Sequence, residues 1–256
     1  MCRFRSGIIL KTRCVVAQGA NDSHTDLLEK LNIEDTTQNA MTKFVRVELL
    51  PPNDEWWTHP STWTLNVDQD ILPDWYEENT EKYKQEFIQA VTDWWEKYVL
   101  IDKKIDELSS GYYRLKRCEV KKLLNDVQVM CDSSTVQRMC DSSTVQRMYD
   151  SSTVQRMYDS STVQRMYDSS TVQVMYGSST VQRMYGSSTV QEMYGSSTVQ
   201  RMYDSSTVQE MYGSSTVQEM YDSSTVQRMY DSSIARDYSN GKIYISDETG
   251  LEIVRK

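Results

Sequence analysis

The sequence has few of the residues that usually mark a catalytic or metal site. It contains two histidines, His24 and His59, and neither lies in a zinc-binding or hydrolase motif. Its five cysteines include no C-x-x-C pair and, being odd in number, cannot all pair with one another. We therefore expect reduced thiols, no metal, no cofactor and no catalytic residue, which together predict a non-enzymatic protein.

Clusters of positive charge and long apolar runs are also missing. The formal net charge is −9, and no domain is basic. Binding to nucleic-acid phosphates needs clustered lysine and arginine, so this composition argues against a nucleic-acid partner. No stretch approaches the roughly 18 apolar residues of a membrane span, and the apolar run near the start is too short for a signal peptide. The expected location is the cytoplasm.

Proline and tryptophan are confined to one part of the chain. All four prolines lie between Pro51 and Pro73, and all six tryptophans lie between Trp56 and Trp95. Twelve of the fourteen methionines, by contrast, follow at regular intervals from Met130. This change of composition predicts three regions. They are a small tryptophan-rich α+β domain over residues 1–112, a β-solenoid over 113–239 and a C-terminal strand cap over 240–256.

The first domain shows both strand and helix periodicity. Apolar residues at 7–10 and 14–16 predict a hairpin, and the alternation at 44–49 and 63–67 predicts two further strands. Between Glu81 and Tyr98 apolar residues recur at three- and four-residue steps, which predicts an amphipathic helix packed on the sheet. The tryptophans are expected in its core, and a ligand pocket lined by them is the alternative.

The rest of the chain is organised around a repeat. From Asp132 to Tyr230 the nine-residue unit [D/G]-S-S-T-V-Q-x-M-[C/Y] occurs eleven times without a break. One such unit cannot bury its own apolar side chains, so the copies must stack as a parallel β-solenoid. Valine, methionine and the second serine should point inward, while position x faces water. The first residue of each repeat is Asp or Gly, and both residue types suit a tight turn of the backbone between one strand and the next. Two repeats per coil are favoured, and three remain the alternative.

Near-identical repeats can slip past one another, so the ends must set the register. Residues 113–131 are interpreted as degenerate first rungs, and apolar runs at 242–245 and 251–254 as the closing strands. Cys131 and Cys140 replace tyrosine and are interpreted as packing variants. If neighbouring repeats occupy opposite walls, these two cysteines lie too far apart for a disulfide.

Position x varies most between repeats, so we predict that it carries any specificity for a partner. The candidate binding residues are Arg138, Arg147, Arg156, Arg165, Arg183, Glu192, Arg201, Glu210, Glu219 and Arg228.

Several segments resemble a known group of proteins. RSGIIL at 5–10, KFVRVE at 43–48, VDQDILPDW at 67–75, IARDY at 234–238 and the array are similar to uncharacterised nonapeptide-repeat proteins of gut bacteria and their phages. Their solenoid is expected to be pentapeptide-repeat-like. The resemblance implies a modular N-terminal domain joined to a variable solenoid, and it implies no reaction.

The leading hypothesis is a structural or binding protein that presents the solenoid surface to a macromolecular partner, expected to be a protein. The ends and flat faces of the solenoid also allow copies of this chain to associate. The alternative is a phage-encoded inhibitor, in one version a DNA mimic, of a host nucleic-acid-acting or defence enzyme. An enzyme with its pocket in residues 1–112 ranks third. A threonine surface of the ice-binding kind ranks low, because its second row would be serine.

Overall fold

The computed structural model describes residues 4–18, 22–239, 241–247 and 250–255. The chain divides into two compact units, Met1–Val99 and Leu100–Lys256, which are called here the first unit and the solenoid unit.

The first unit contains a four-stranded antiparallel sheet, three short α-helices and one long α-helix. Its strands are Arg5–Leu10 (β1), Arg13–Val16 (β2), Phe44–Leu50 (β3) and Thr64–Val67 (β4), in the order β2-β1-β3-β4. Its α-helices are His24–Lys30 (α1), Thr37–Ala40 (α2), Asp74–Glu77 (α3) and Thr80–Tyr98 (α4), and 3-10 turns cover Pro52–Asp54 and Pro60–Thr62. The predicted hairpin, alternating strands and long helix are confirmed.

The long helix α4 packs on β1 and β2 through one apolar stripe. Tyr83, Phe87, Val91 and Trp94 are buried along it at steps of three and four residues. The ring of Phe87 lies against Gly7, where an added Cβ would come within 2.2 Å of a ring carbon. Glycine is therefore required where the helix meets the sheet.

The tryptophans act mainly as core residues, as predicted. Trp56, Trp63 and Trp94 are buried, and the indole N–H of Trp95 donates to the carbonyl of Trp56 at 3.1 Å. His59 meets the Trp95 ring edge-to-face at 5.6 Å between centroids, so it belongs to the same aromatic cluster.

The solenoid unit is built almost entirely of short parallel strands. Those before the array are Val99–Ile101 (β5), Lys104–Leu108 (β6), Tyr112–Lys116 (β7), Glu119–Leu123 (β8) and Asp126–Cys131 (β9). The array contributes Thr135–Met139 (β10), Thr144–Met148 (β11), Thr153–Met157 (β12), Thr162–Met166 (β13), Thr171–Met175 (β14), Thr180–Met184 (β15), Thr189–Met193 (β16), Thr198–Met202 (β17), Thr207–Met211 (β18), Thr216–Met220 (β19) and Thr225–Met229 (β20). The last strands are Ile234–Asp237 (β21), Lys242–Asp247 (β22) and Gly250–Arg255 (β23).

Successive strands alternate between two sheets. Sheet 1 has eight strands in the order β20-β18-β16-β14-β12-β10-β8-β6, and sheet 2 has eleven in the order β23-β22-β21-β19-β17-β15-β13-β11-β9-β7-β5. Each array strand from β10 to β19 pairs in parallel with the strand 18 residues further on, so that Thr135 faces Thr153 and Val136 faces Val154. This register confirms two repeats per coil.

The solenoid begins earlier than predicted. Val99–Ile101 and Lys104–Leu108 already belong to the two sheets, so the boundary falls near residue 99 instead of after residue 112. The sequence did not predict these strands, because their polar residues differ from those of the repeat. The eight strands of sheet 1 correspond to about eight coils, whereas the array alone predicts about six.

The interior of the array is a set of stacked columns. Val and Met of the repeat are completely or almost completely buried through Met220, and the second serine is buried with them. The hydroxyls of Ser134 and Ser206 donate to the carbonyl three residues earlier, at 2.9 and 2.8 Å. The predicted inward and outward positions are therefore correct.

The Asp or Gly that opens each repeat forms the corner. Asp141, Asp150 and the other corner aspartates have φ near +56°, and corner glycines such as Gly177 lie near +66°. This left-handed backbone disfavours most side chains, but Asp and Gly tolerate it. The predicted corner is confirmed.

The C-terminal strands extend only one of the two sheets. β22 pairs antiparallel with β21 and with β23, whereas β20 is the last strand of sheet 1. Tyr244 of β22 packs against the core beside Val226 and Met229. The predicted closing strands are present, and they continue sheet 2.

In the part of the chain that the structure describes, no helix is long and apolar enough to cross a membrane.

Candidate binding surface

The predicted binding residues form two separate rows, because neighbouring repeats lie in different sheets. Position x is the fourth residue of each strand, and it pairs in register with the same position 18 residues on. Row 1, on sheet 1, contains Arg138, Arg156, Val174, Glu192, Glu210 and Arg228. Row 2, on sheet 2, contains Arg147, Arg165, Arg183, Arg201 and Glu219.

Row 2 places four arginines on consecutive rungs. Stacked strands lie about 4.8 Å apart, so the guanidinium groups are held close together along the axis. Arg201 is neutralised, since its Nε lies 2.7 Å from Glu219 Oε2. Among the described residues, no carboxylate lies within 4.0 Å of the guanidinium of Arg147, Arg165 or Arg183.

Row 1 has a different charge distribution. Within the described ranges, Arg138 and Arg156 also make no ion pair, and both are exposed. Glu210 instead forms an ion pair with Arg228 and accepts a hydrogen bond from the Tyr212 hydroxyl. Uncompensated arginines therefore lie in the first six repeats, whereas the last repeats contain neutralised pairs.

Hydrogen bonds between tyrosine and glutamate shift several pKa values along row 1. The bond from Tyr212, followed by that from Arg228, lowers the pKa of Glu210. The corresponding bonds to Glu192 and Glu210 raise the pKa values of Tyr194 and Tyr212 to about 12. Glu210 is thus ionised near neutral pH and is already paired with Tyr212 and Arg228.

Two tyrosine ladders run beside these rows, and the sequence reasoning missed them. Tyr149, Tyr167, Tyr185, Tyr203, Tyr221 and Tyr238 form one ladder, and Tyr158, Tyr176, Tyr194, Tyr212 and Tyr230 form the other. Neighbouring rings are stacked with centroids 4.8–5.7 Å apart. Their faces contact each other, so the internal rings are not free to stack on a ligand. The signal was present, because two repeats per coil align every second tyrosine.

The corners carry a third ladder, made of carboxylates and backbone amides. The Asp168 carboxylate accepts from the Asp150 amide at 3.3 Å, and the Asp204 carboxylate accepts from the Gly186 amide at 2.9 Å. Among the described residues, five corner aspartates accept such a bond from the corner of the preceding rung in their own column. Corner carboxylates are therefore partly engaged in holding the solenoid together.

Threonine and glutamine form the remaining outward columns. Thr207 and Thr225 approach each other at 3.3 Å between hydroxyl oxygens. The neighbouring outward residue on the strand is glutamine, whereas serines such as Ser206 are buried. On the strands the threonine row is flanked by glutamine and not by a second row of threonine, which argues against an ice-binding surface among the described residues.

The cysteines are poorly suited to ligation or nucleophilic attack. Cys131 lies near Asp132 and Asp150, but Lys116 pairs with the Asp132 carboxylate at 2.8 Å. Burial raises the pKa of Cys131 to about 12 and that of Cys14 to about 11, so both thiols stay protonated at neutral pH. Cys131 and Cys140 are both free thiols. Cys131 ends β9 of sheet 2, whereas Cys140 directly follows β10 of sheet 1. The Cys2 thiol lies outside the described residues.

Comparisons of the chain with protein-family models, with curated proteins and with solved structures found no match.

Proposed function

We propose that this chain is a non-enzymatic binding protein whose solenoid presents charged rows to a protein partner. One observation carries the proposal. The buried valine, methionine and serine are the same in all eleven repeats, whereas position x and the corner vary, and both lie outside. The outward threonine and glutamine are also constant, so position x and the corner are what make the surface of one rung differ from that of the next.

The partner surface should be acidic. Arg138, Arg147, Arg156, Arg165 and Arg183 have no carboxylate partner among the described residues, so an acidic segment would replace water around several arginines at once. Arginine forms bidentate bonds with carboxylates, which favours such a contact. Nucleic acid is a poorer candidate, because the chain has a net charge of −9 and the stacked tyrosines leave little ring surface for bases.

We also propose that the protein resides in a reducing compartment, and we expect this compartment to be the cytoplasm. The four described cysteines are free, and three have thiol pKa values raised by burial. Disulfides are uncommon in such compartments.

A matched pair of charge variants of the full chain tests the proposal. Arg147→Gln with Arg165→Gln removes two unpaired arginines, and Arg201→Gln with Arg228→Gln removes two that are already ion-paired. Partners are captured from cells that produce the protein and quantified by mass spectrometry. The first variant should lose at least about tenfold of the captured partner, equivalent to roughly 1.4 kcal/mol of binding free energy, and the second should lose little.

Equal capture by both variants, or a partner retained at high salt as well as at low salt, would contradict the proposal, because exposed ion pairs weaken with screening. The DNA-mimicking inhibitor receives less support. Corner carboxylates such as those of Asp168 and Asp204 already accept amide hydrogen bonds, and arginines lie three residues before most of them. Competition with DNA for a captured enzyme would favour that alternative.

A further inference from the structure

One imidazole and two carboxylates converge within the first unit. His24 is the first residue of α1, Glu48 lies in β3, and Asp68 directly follows β4. One potential ligand atom from each lies within 4.8 Å of the other two. Glu48 faces Asn66 across the β3–β4 pair, and Asp68 is two residues further along, on the same side of the strand. The sheet register therefore brings the two carboxylates together.

The backbone determines which nitrogen of His24 carries a proton. Nε2 lies 3.1 Å from the carbonyl oxygen of Val47, which can only accept a hydrogen bond. Nε2 is therefore the donor, and Nδ1 faces Asp68 Oδ2 at 3.2 Å. The Asp68 side chain is 55% exposed, but a bare nitrogen lone pair this close to its carboxylate is repelled, so the approach favours a positive centre between the two atoms. That centre is either a proton or a metal ion.

The charge of the cluster distinguishes these two cases. Among the described residues, neither Glu48 nor Asp68 lies within 4.0 Å of a lysine or arginine nitrogen. Arg46, on the same side of β3, pairs with Asp35. A proton on His24 offsets one of the two carboxylate charges, whereas a divalent cation offsets both. Two carboxylates this close otherwise repel each other.

We propose that His24 Nδ1, Glu48 and Asp68 bind a divalent transition-metal ion of the Zn²⁺ class, with water completing its coordination. Zinc ligands at about 2.0–2.2 Å in a tetrahedron lie about 3.4 Å from one another, and the three ligand atoms here already lie within 4.8 Å of one another. The hydrogen bond from Nε2 to a carbonyl is the arrangement that orients a metal-bound histidine. One nitrogen and two carboxylates favour Zn²⁺ over Mg²⁺, which prefers oxygen ligands and retains water.

Titration of the full chain with Zn²⁺ alone, followed by calorimetry at neutral pH, tests this site. Glu48→Gln and Asp68→Asn are nearly isosteric, and Asp70→Asn is the control because Asp70 is exposed like Asp68 and close to it in sequence, but is not one of the three clustered residues. The wild type should bind one equivalent of Zn²⁺. The affinity should be at least about 100-fold weaker in the first two variants, since the loss of an orienting group alone lowers metal affinity 10- to 100-fold. Asp70→Asn should stay within about twofold. The unchanged cysteines contribute equally to every titration.

Cobalt(II) spectra provide a second measurement. Co²⁺ at this site should give the visible bands of nitrogen and oxygen ligation without a thiolate charge-transfer band, and these bands should disappear in Asp68→Asn. His24→Gln should also lose them, and melting curves of each variant in a chelator show whether it is folded. Binding that is the same in Asp68→Asn and Asp70→Asn would overturn the proposal. So would a wild type that binds no Zn²⁺ and holds only a proton between His24 and Asp68.

Discussion

The two units bury their side chains in different ways. In the first unit each buried residue has its own distinct neighbours, such as the Phe87 ring against Gly7, or the Arg5 guanidinium 3.7 Å from the centroid of Trp94. In the solenoid unit a residue such as Met184 lies between Met166 and Met202, which are copies of itself. The first unit therefore depends on particular pairs, and the solenoid depends on repetition.

This difference separates two sources of specificity. A repeated interior stabilises any rung equally, so it cannot by itself distinguish one register from the next. Register in the solenoid has to come from residues that do not repeat, such as buried Arg114, which donates to Gln128 at 2.7 Å before the array begins. In the first unit every packed pair already specifies its own register.

The largest expected effect is a substitution in the first unit. Phe87→Ala should cost about 3–5 kcal/mol of the free energy of unfolding, because no identical neighbour can fill the cavity. Tryptophan fluorescence during denaturation measures it, since all six tryptophans lie between residues 56 and 95. Gly7→Ala should destabilise the Phe87→Ala variant less than the wild type, because the clash with the ring is removed while a 2.7 Å approach to the Val15 carbonyl oxygen remains. Additive effects of the two substitutions would show that this contact is unimportant.

A matched substitution in the solenoid should cost less. Met184→Ala should lower the free energy of unfolding by about 2–3 kcal/mol. This value lies in the lower part of the range of costs for replacing a buried methionine with alanine. The reason is that flexible Met166 and Met202 on the adjoining rungs can move into part of the cavity. Far-UV circular dichroism follows this transition, and Met184→Leu is the volume-matched control. A cost equal to that of Phe87→Ala would break the distinction between unique and repeated packing.

The solenoid could be predicted from sequence because each repeat supplies the same evidence. Charged and apolar residues at position x show that it faces water, and the three-residue step from Val136 to Met139 then requires a bend in the strand. Asp or Gly at every corner indicates left-handed backbone. The early rungs β5 and β6 could not be predicted, because their sequences do not match the repeat. Only their pairing with β7 and β8 shows that they belong to the solenoid.

The candidate sites were predicted less completely, because they depend on contacts between distant positions. Position x was recognised from its variation, but its division into an arginine-rich row and a mixed row follows from the alternation of sheets. Residues 24, 48 and 68 are too far apart for any metal motif, and β3–β4 pairing brings two of them together. The sequence therefore predicted no metal, whereas the fold motivates the proposed site.

The corner ladder should show a smaller effect. Asp204→Ala removes the carboxylate that accepts from the Gly186 amide at 2.9 Å, and it places alanine at φ +55°. We expect a loss of about 1–2 kcal/mol from the left-handed backbone and the lost hydrogen bond together. Asp204→Asn is the control, since asparagine tolerates this backbone and its amide oxygen can accept the same bond. Hydrogen exchange at the Gly186 amide should accelerate in the alanine variant alone.

The smallest expected effect concerns pH and separates the two ends of the array. Because Tyr212 and Arg228 lower the pKa of Glu210, the folded state holds its proton less tightly than the unfolded state does. The resulting stability is present above the unfolded pKa of about 4.3 and is lost as pH falls through the lower folded pKa. The difference in Tm between wild type and Glu210→Gln should therefore shrink on acidification below about pH 4. Arg138 makes no ion pair among the described residues. The difference in Tm between wild type and Arg138→Gln should therefore not shrink on acidification. A Glu210→Gln difference that is constant with pH would mean that these bonds do not persist in solution.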